Sequence, residues 1–214
     1  MRVYIAFLVV VSVFAAPAIA APGETCPAPS APVKPSIDEA ALDAYIVKGL
    51  EDWNIPGLSI AVVKNGTPVY LKGFGVRSLQ GPGQVDAQTL FGMMSTTKAM
   101  TALALAMLVD EGKLDWNDPV SLHYPEFALS DPFVTRDLKV KDLLTHNSGL
   151  GNTDMLWARG DLSSDQILAK LRSVPLSYSL RDSFIYQNVM YQVAGKVIEN
   201  VTGQSWENVI QTRI

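Results

Sequence analysis

The chain is poor in the residues that build metal centres and disulfide frameworks: among 214 residues there is one cysteine and there are two histidines. The lone thiol, Cys26, sits in a Pro/Ala-rich stretch where nothing fixes a partner beside it. It is a free thiol or half of a pair whose mate lies elsewhere, and it is a poor choice of nucleophile. His123 and His146 are far apart, and no His/Cys/carboxylate cluster has ligand spacing, so neither a metal nor another cofactor is expected. Basic runs are also lacking. With a net charge of −4, the chain is not expected to bind nucleic acid. No internal repeat is visible. Nor is there an apolar run of the roughly 20 residues that a membrane-spanning helix needs. The longest, residues 3–16, follows Arg2 and leads to Pro17 and Ala18-Ile19-Ala20. A charged start, a short apolar core and an A-x-A site read as a signal peptide over 1–20, cleaved after Ala20, the alternative being an uncleaved anchor. The expectation is export to the periplasm or medium, with no stable membrane span after cleavage, a linker over 21–35 and a single domain over 36–214.

The chain from Ser36 onward alternates helical and extended patterns. Ser36-x-x-Glu39 reads as a capping box, and Leu42, Tyr45, Ile46, Leu50 and Trp53 recur at helical spacing, which predicts a helix over 37–53. Residues 58–63 form an apolar run of strand length, Asn65-Gly66 is a hairpin signal, and 69–74 reads as the returning strand. Residues 77–88 are a polar loop, and 114–133 a looped connector. A short helix is predicted over 140–145 and another over 163–172, with Ser163 or Ser164 as its cap. Residues 175–185 read as extended or looped. Met190, Val193, Ala194, Val197, Ile198 and Val201 mark an amphipathic helix ended by Gly203. Ser205 caps a last helix carrying Trp206, Val209 and Ile210, still in its early turns at Ile214. So short a helix is marginal alone, and the expectation is that these residues are the N-terminal part of a longer protein.

The chain is organised around residues 99–109, apolar throughout except for Thr101. A helix without a polar face is surrounded by protein. At its start stand Ser95 and Lys98, three residues apart and therefore on one helical face. Backbone N–H groups and a positive partial charge gather at a helix start. A nearby amine could hold or deprotonate the hydroxyl, an arrangement suited to attack on an acyl group. The bland alternative for Ser95 is an ordinary N-cap. Tyr186-Gln187-Asn188 occurs once, where the loop over 175–185 becomes the amphipathic helix. Ser-x-x-Lys followed by a Ser-x-Asn-like element belongs to serine acyl-transfer sites.

Four stretches together carry a family resemblance. They are Pro56-Gly57-Leu58-Ser59-Ile60-Ala61-Val62-Val63 with its hairpin; residues 91–98 with Glu111-Gly112-Lys113-Leu114 and Asp118-Pro119-Val120; Leu143-Leu144-Thr145-His146-Asn147-Ser148-Gly149-Leu150; and Tyr186-Gln187-Asn188 continuing to Gly203. In this order they resemble the class C-type β-lactamase and D,D-peptidase-like serine hydrolases, esterases included. The resemblance implies an α/β (α+β) fold, an antiparallel sheet flanked by helices with an all-helical lobe, here cut short before its C-terminal strands. It implies Ser95 as nucleophile of an acyl-enzyme, Lys98 as the partner that lowers the cost of deprotonating it, Tyr186 as general base and Asn188 as a hydrogen-bonding group for the substrate's amide or for Lys98. The Ser95 backbone N–H would be half of an oxyanion hole.

The substrate would be a small molecule or peptide with an amide or ester bond: a β-lactam, a D-amino-acid peptide or a small ester. Two departures stand out. Met94 is bulkier than the small residue many relatives carry, and no Lys-Thr-Gly or His-x-Gly follows Asn188. Without that third element these residues alone are expected to be inactive. The alternative is a catalytically silent penicillin-binding or sensor-type protein of the same fold. His146 is read as fixing a loop rather than as a base; Trp157, Tyr178 and Phe184 are candidates for cleft walls or for core. The oligomeric state is not legible in the sequence.

Overall fold

In the computed structural model the described residues are 37–214, so the signal peptide and linker predicted over 1–35, together with Cys26 and Ser36, lie outside them. They divide into two units, one ending at Met93 and one beginning at Met94. In the first, helix α1 runs Glu39–Asp52 and strands β1 (Gly57–Lys64) and β2 (Thr67–Gly75) form an antiparallel hairpin. The cap of α1 is Asp38 rather than the predicted Ser36: its carboxylate accepts the Ala41 N–H at 3.0 Å. The aspartate side chain reaches the backbone three residues on as a serine would, which moves the helix start to Glu39. Asn65 and Gly66 both have positive φ (50° and 74°), the geometry of a type I′ hairpin turn. Asp43 on α1 accepts from Tyr70 and, at 2.8 Å, from Lys72, fastening the helix to β2.

The second unit begins with a 3-10 turn, Met94–Thr96, that feeds helix α2 (Thr97–Asp110). Ser95 thus sits in the turn before the helix, not at the helix start as expected. The predicted all-round burial of α2 is met on one stripe only: Thr101, Ala104, Leu105 and Leu108 are buried, whereas Leu103 is 48% exposed. The elements that pack on α2 within this unit, α7 and α8, cover that single side. The connector is not all loop. It holds two short helices, α3 (Val120–His123) and α4 (Pro132–Asp137), and an antiparallel bridge between Pro119 and Lys139. The short helix predicted over 140–145 is a 3-10 turn, Val140–Leu144. A further helix, α5 (Asp154–Ala158), has no counterpart in the sequence reading.

Helix α6 (Ser164–Lys170) is capped by Ser163, whose hydroxyl accepts the Gln166 N–H while Gln166 Oε1 accepts the Ser163 N–H. It passes into a 3-10 turn, Leu171–Ser173. Helix α7 (Val189–Thr202) is the centre of the core. Its Val189, Met190, Val193, Ala194, Val197 and Ile198 are fully buried against residues such as Leu105, Leu108, Leu143, Leu150 and Leu171. Each of the Val, Met and Ile side chains withdrawn from water stabilises the fold by about 1.5–3 kcal/mol. Helix α8 (Trp206–Arg213) follows, with the Ser205 hydroxyl accepting the Asn208 N–H at 3.2 Å.

Two devices hold the elements around the site. Gly203 ends α7 in a left-handed conformation, φ 68°, and its N–H reaches the Glu199 carbonyl at 2.8 Å. The fully buried Asp142 carboxylate accepts the Arg181 guanidinium through two nitrogens and the Lys139 N–H at 2.9 Å. That pair ties the loop before Tyr186 to the 3-10 turn Val140–Leu144.

Nothing lies within 4 Å of a methyl group added at Gly203. Gly203→Ala therefore meets only the backbone penalty, and a denaturant titration should show a loss of about 1–2 kcal/mol. Arg181→Ala leaves the Asp142 carboxylate short of two donors. Breaking a buried pair typically costs about 3–5 kcal/mol; as Arg181 is 40% exposed, a loss at or below the lower figure is expected in the same titration.

Candidate active site

The 3-10 turn holds Ser95 at the surface, and the first turn of α2 brings Lys98 back beside it. Lys98 Nζ donates to Ser95 Oγ at 3.1 Å and to Asn188 Oδ1 at 2.7 Å. From the other side Tyr186 Oη donates to Ser95 Oγ at 2.7 Å. The Lys98 amine also lies 4.7 Å from the Tyr186 ring centroid and 5.3 Å from that of Tyr191, within cation–π range. All four residues singled out in the sequence, Ser95, Lys98, Tyr186 and Asn188, are therefore in one bonded group. The residue ahead of the serine, Met94, has φ 48°, a left-handed conformation that side-chain-bearing residues adopt at a penalty and that clusters at functional sites.

Why Tyr186 and Asn188 face outward is settled by the residue between them. Gln187 is 1% exposed, and its Nε2 donates to the carbonyls of Leu150 and Gly151 at 2.6 and 2.8 Å. Its backbone N–H donates to His146 Nδ1 at 3.0 Å. A backbone N–H can only donate, so Nδ1 carries no proton and the neutral imidazole is the Nε2–H tautomer. Burial, and secondarily the charge of Lys98, hold the His146 pKa below the ordinary imidazole value. The same ring stacks on Tyr186 at 4.5 Å, and the His146 carbonyl accepts the Ile185 N–H at 2.9 Å. His146 fixes the loop, as expected.

Asn188 is held from behind. Its Nδ2 donates to Asp154 Oδ1 at 2.9 Å, and the same oxygen accepts Trp157 Nε1 at 2.9 Å. Gln187 and Asp154 were missed in the sequence. For Gln187 the signal was available, a glutamine between the two outward residues; for Asp154 there was none. Of the candidate wall aromatics, Trp157 serves Asp154, Phe184 stands edge-on to His146 at 5.4 Å, and Tyr178 is half-exposed; none is core.

Burial by itself would push the Tyr186 phenol up. Hydrogen bonding to Lys98 and Ser95 and the Lys98 charge outweigh it, while Asp154 opposes them weakly, and the net shift is below the ordinary phenol value. For Asp154 burial likewise acts upward, but the bonds from Asn188, Trp157 and Asn152 bring its carboxyl below the usual range. Tyr186 is 39% exposed and Ser95 lies open to solvent, so a carbonyl can reach the hydroxyl. Beside Lys98 and Asn188 opens a cavity of about 380 Å³, with Met94, Thr101, Gln192 and Trp206 among its walls. Among the described residues no group of three or more His, Cys, Asp or Glu could hold a metal ion, and no helix is long and apolar enough to cross a membrane.

Comparison with known proteins gives this geometry a context. The chain is 32% identical to an unguisins hydrolase of Aspergillus violaceofuscus over 84% of its own length and 34% of the relative's. It is 31% identical to protein flp of Staphylococcus aureus over 79% and 34%. It thus spans about a third of the length of the curated relatives it matches. Among solved structures, the octameric penicillin-binding protein homologue from Pyrococcus abyssi superposes with a TM-score of 0.71 at 31% identity, over 83% of this chain and 42% of that one. FmtA from Staphylococcus aureus gives 0.67 at 28% identity, over 87% and 51%. The α+β arrangement of helices and antiparallel hairpin is that of these relatives. The beta-lactamase family model matches residues 42–214, and with four-fifths of the chain also aligned to relatives above 30% identity, the chain belongs to the beta-lactamase family.

Proposed function

We propose that this beta-lactamase-family hydrolase is a serine hydrolase that cleaves an amide or ester bond through an acyl-enzyme on Ser95. One observation carries the reading: a phenol, Tyr186 Oη at 2.7 Å, and an amine, Lys98 Nζ at 3.1 Å, meet on a single exposed hydroxyl. That is the relation of nucleophile and base required for covalent catalysis. The hydrolase named in the Aspergillus relatives supports bond cleavage over mere binding.

In the resting state the phenol donates to Oγ. Once Tyr186 has lost its proton the bond reverses, and the phenolate takes the serine's proton as Oγ adds to the substrate carbonyl. The carbonyl π-electrons move onto oxygen, where the Ser95 N–H would donate. On collapse the C–O or C–N bond to the leaving group breaks, and Tyr186 returns the proton to that group. Water then repeats the sequence to free the acid product and Ser95. Lys98 keeps positive charge beside both oxygens, which favours the phenolate and stabilises charge as it develops. Asn188 anchors Lys98 through Oδ1. The substrate class is a β-lactam, a D-amino-acid peptide or a small ester, and the apolar run over 3–16 supports export to periplasm or medium.

Intact-mass measurement with an activated ester and with a penicillin should show one acyl adduct on the whole encoded protein and none on Ser95→Ala. Tyr186→Phe should lower the rate of acylation about 10²–10⁴-fold, the ordinary worth of a general base. Because the phenolate is the active form and its pKa is lowered, the wild-type rate should rise with pH along a limb below about pH 10. An adduct on Ser95→Ala, or a limb that survives in Tyr186→Phe, refutes the assignment. An adduct that persists for hours would favour the sensor reading.

No Lys-Thr-Gly or His-x-Gly follows Asn188 in these 214 residues. A missing oxyanion donor alone costs about 10²–10³ in rate. Turnover by residues 1–214 alone should therefore trail that of the whole encoded protein by at least that factor, and equal rates would refute the need for a third element.

A further inference from the structure

We infer that Asp154 is the positioning residue that fixes the side-chain amide of Asn188, and through it the Lys98 amine, in the orientation used for acyl transfer. The orientation follows from hydrogen bonds alone; its consequence for rate rests on the function proposed above. An asparagine amide has two orientations of nearly identical shape, related by a half-turn of its last bond. In the one present, Oδ1 accepts from Lys98 at 2.7 Å and Nδ2 donates to Asp154 at 2.9 Å. The half-turn would set N–H against amine and carbonyl oxygen against carboxylate, so both contacts would turn repulsive. Lys98 alone could select the orientation only while it stays in place. Asp154 selects it from a fixed site.

That site is fixed by its own surroundings. Asp154 Oδ1 also accepts Trp157 Nε1 at 2.9 Å, and the Asp154 N–H donates to Asn152 Oδ1 at 3.0 Å. The strand of chain before it is clamped by Gln187, which bonds the Leu150 and Gly151 carbonyls and accepts from Thr153 at 3.4 Å. Gln187 is the chain neighbour of Asn188, so donor and acceptor are registered through a single residue. The arrangement leaves Asn188 one amide proton unclaimed by Asp154.

Asp154 also places a negative charge near the phenol. The groups facing Tyr186 are Ser95, Lys98 on α2, His146, Asp154 on α5 and Tyr191 on α7. Of these Asp154 opposes ionisation of the phenol, so its neutralisation should ease it. Asp154→Asn keeps an acceptor for Asn188 and Trp157 but loses the charge; Asp154→Ala loses both. The pair separates orientation from charge.

The test uses the whole encoded protein, with thermal melts to confirm that each variant is folded. Two readouts need no substrate. The Asn188 side-chain amide proton bound to the carboxylate should move upfield and exchange faster in Asp154→Ala, but stay protected in Asp154→Asn. The NMR titration midpoint of Tyr186, read at its ring carbon bearing oxygen, should move to lower pH in Asp154→Asn. A third readout is acylation of Ser95 by an activated ester. It should fall about tenfold to a hundredfold in Asp154→Ala, the usual effect of misplacing a reacting group. In Asp154→Asn the loss should be smaller, with the pH–rate limb following the Tyr186 midpoint downward. An unchanged Asn188 amide in Asp154→Ala overturns the inference; an unmoved Tyr186 midpoint in Asp154→Asn overturns the influence of its charge on the phenol. If the amide change occurs but the wild type never forms an adduct, the orienting role stands and the proposed reaction fails.

Discussion

The arrangement around Ser95 depends on the burial of one neutral amide, Gln187. Along 186–188 successive side chains point to opposite sides, and the inward one donates to two backbone carbonyls, a buried one at Leu150 and a part-buried one at Gly151. An unsatisfied buried carbonyl costs roughly 1–3 kcal/mol, so the inward turn of Gln187 is strongly selected. Once it is made, Tyr186 and Asn188 have no choice but to face the serine. The His146 ring closes the arrangement by accepting the Gln187 N–H and stacking beneath the phenol. Behind it, the Asp142–Arg181 pair fixes the loop that delivers Tyr186, and α7, the most buried helix, carries Asn188 at its start.

Much of this was legible in the sequence, and for identifiable reasons. Asn65-Gly66 needs positive φ twice, Ser163 and Ser205 have the right side chains for caps, and Gly203 has no side chain to oppose a left-handed end. These are local matters, so local residues reveal them. The residues of the site were legible through spacing: Ser95 and Lys98 through one helical turn, Tyr186 and Asn188 through the family resemblance. What was not legible is tertiary. Helix α5 is too short to show periodicity, and the role of Asp154 depends on a partner 34 residues away. The partial exposure of α2 ran against its composition, because apolar content records what a helix can bury rather than what covers it. The displacement of Ser95 into a 3-10 turn could not be read either, as Met94 gives no signal of its positive φ.

Electrostatically the group is a single cation shared among neutral and negative partners. Lys98 touches Ser95, Asn188 and two aromatic faces, and Asp154 lies one side chain further back. The Tyr186 phenol feels opposed influences: burial favours its neutral form and Lys98 its ionised form, and Lys98 prevails. A base placed deeper would gain shelter from water but lose its readiness to ionise. A base placed further out would lose the ammonium. In the proposed reaction the half-exposed phenol is the compromise that would let a group with an ordinary pKa near 10 act as a base at lower pH.

His146 shows why that balance tolerates only one cation. Its Nδ1 must stay unprotonated to accept the Gln187 N–H, and both burial and Lys98 keep it so. A proton on His146 would break that bond and set a second positive charge against the Tyr186 ring. Its folded-state pKa is depressed, so the unfolded chain takes up the proton first as the pH falls below about 6.5. Stability contributed by the neutral imidazole is present above that value and declines below it. The histidine therefore belongs to the support of the site rather than to its chemistry. The Gln187 N–H and the Tyr186 ring are held by a neutral imidazole, so no second cation stands beside the phenol with Lys98.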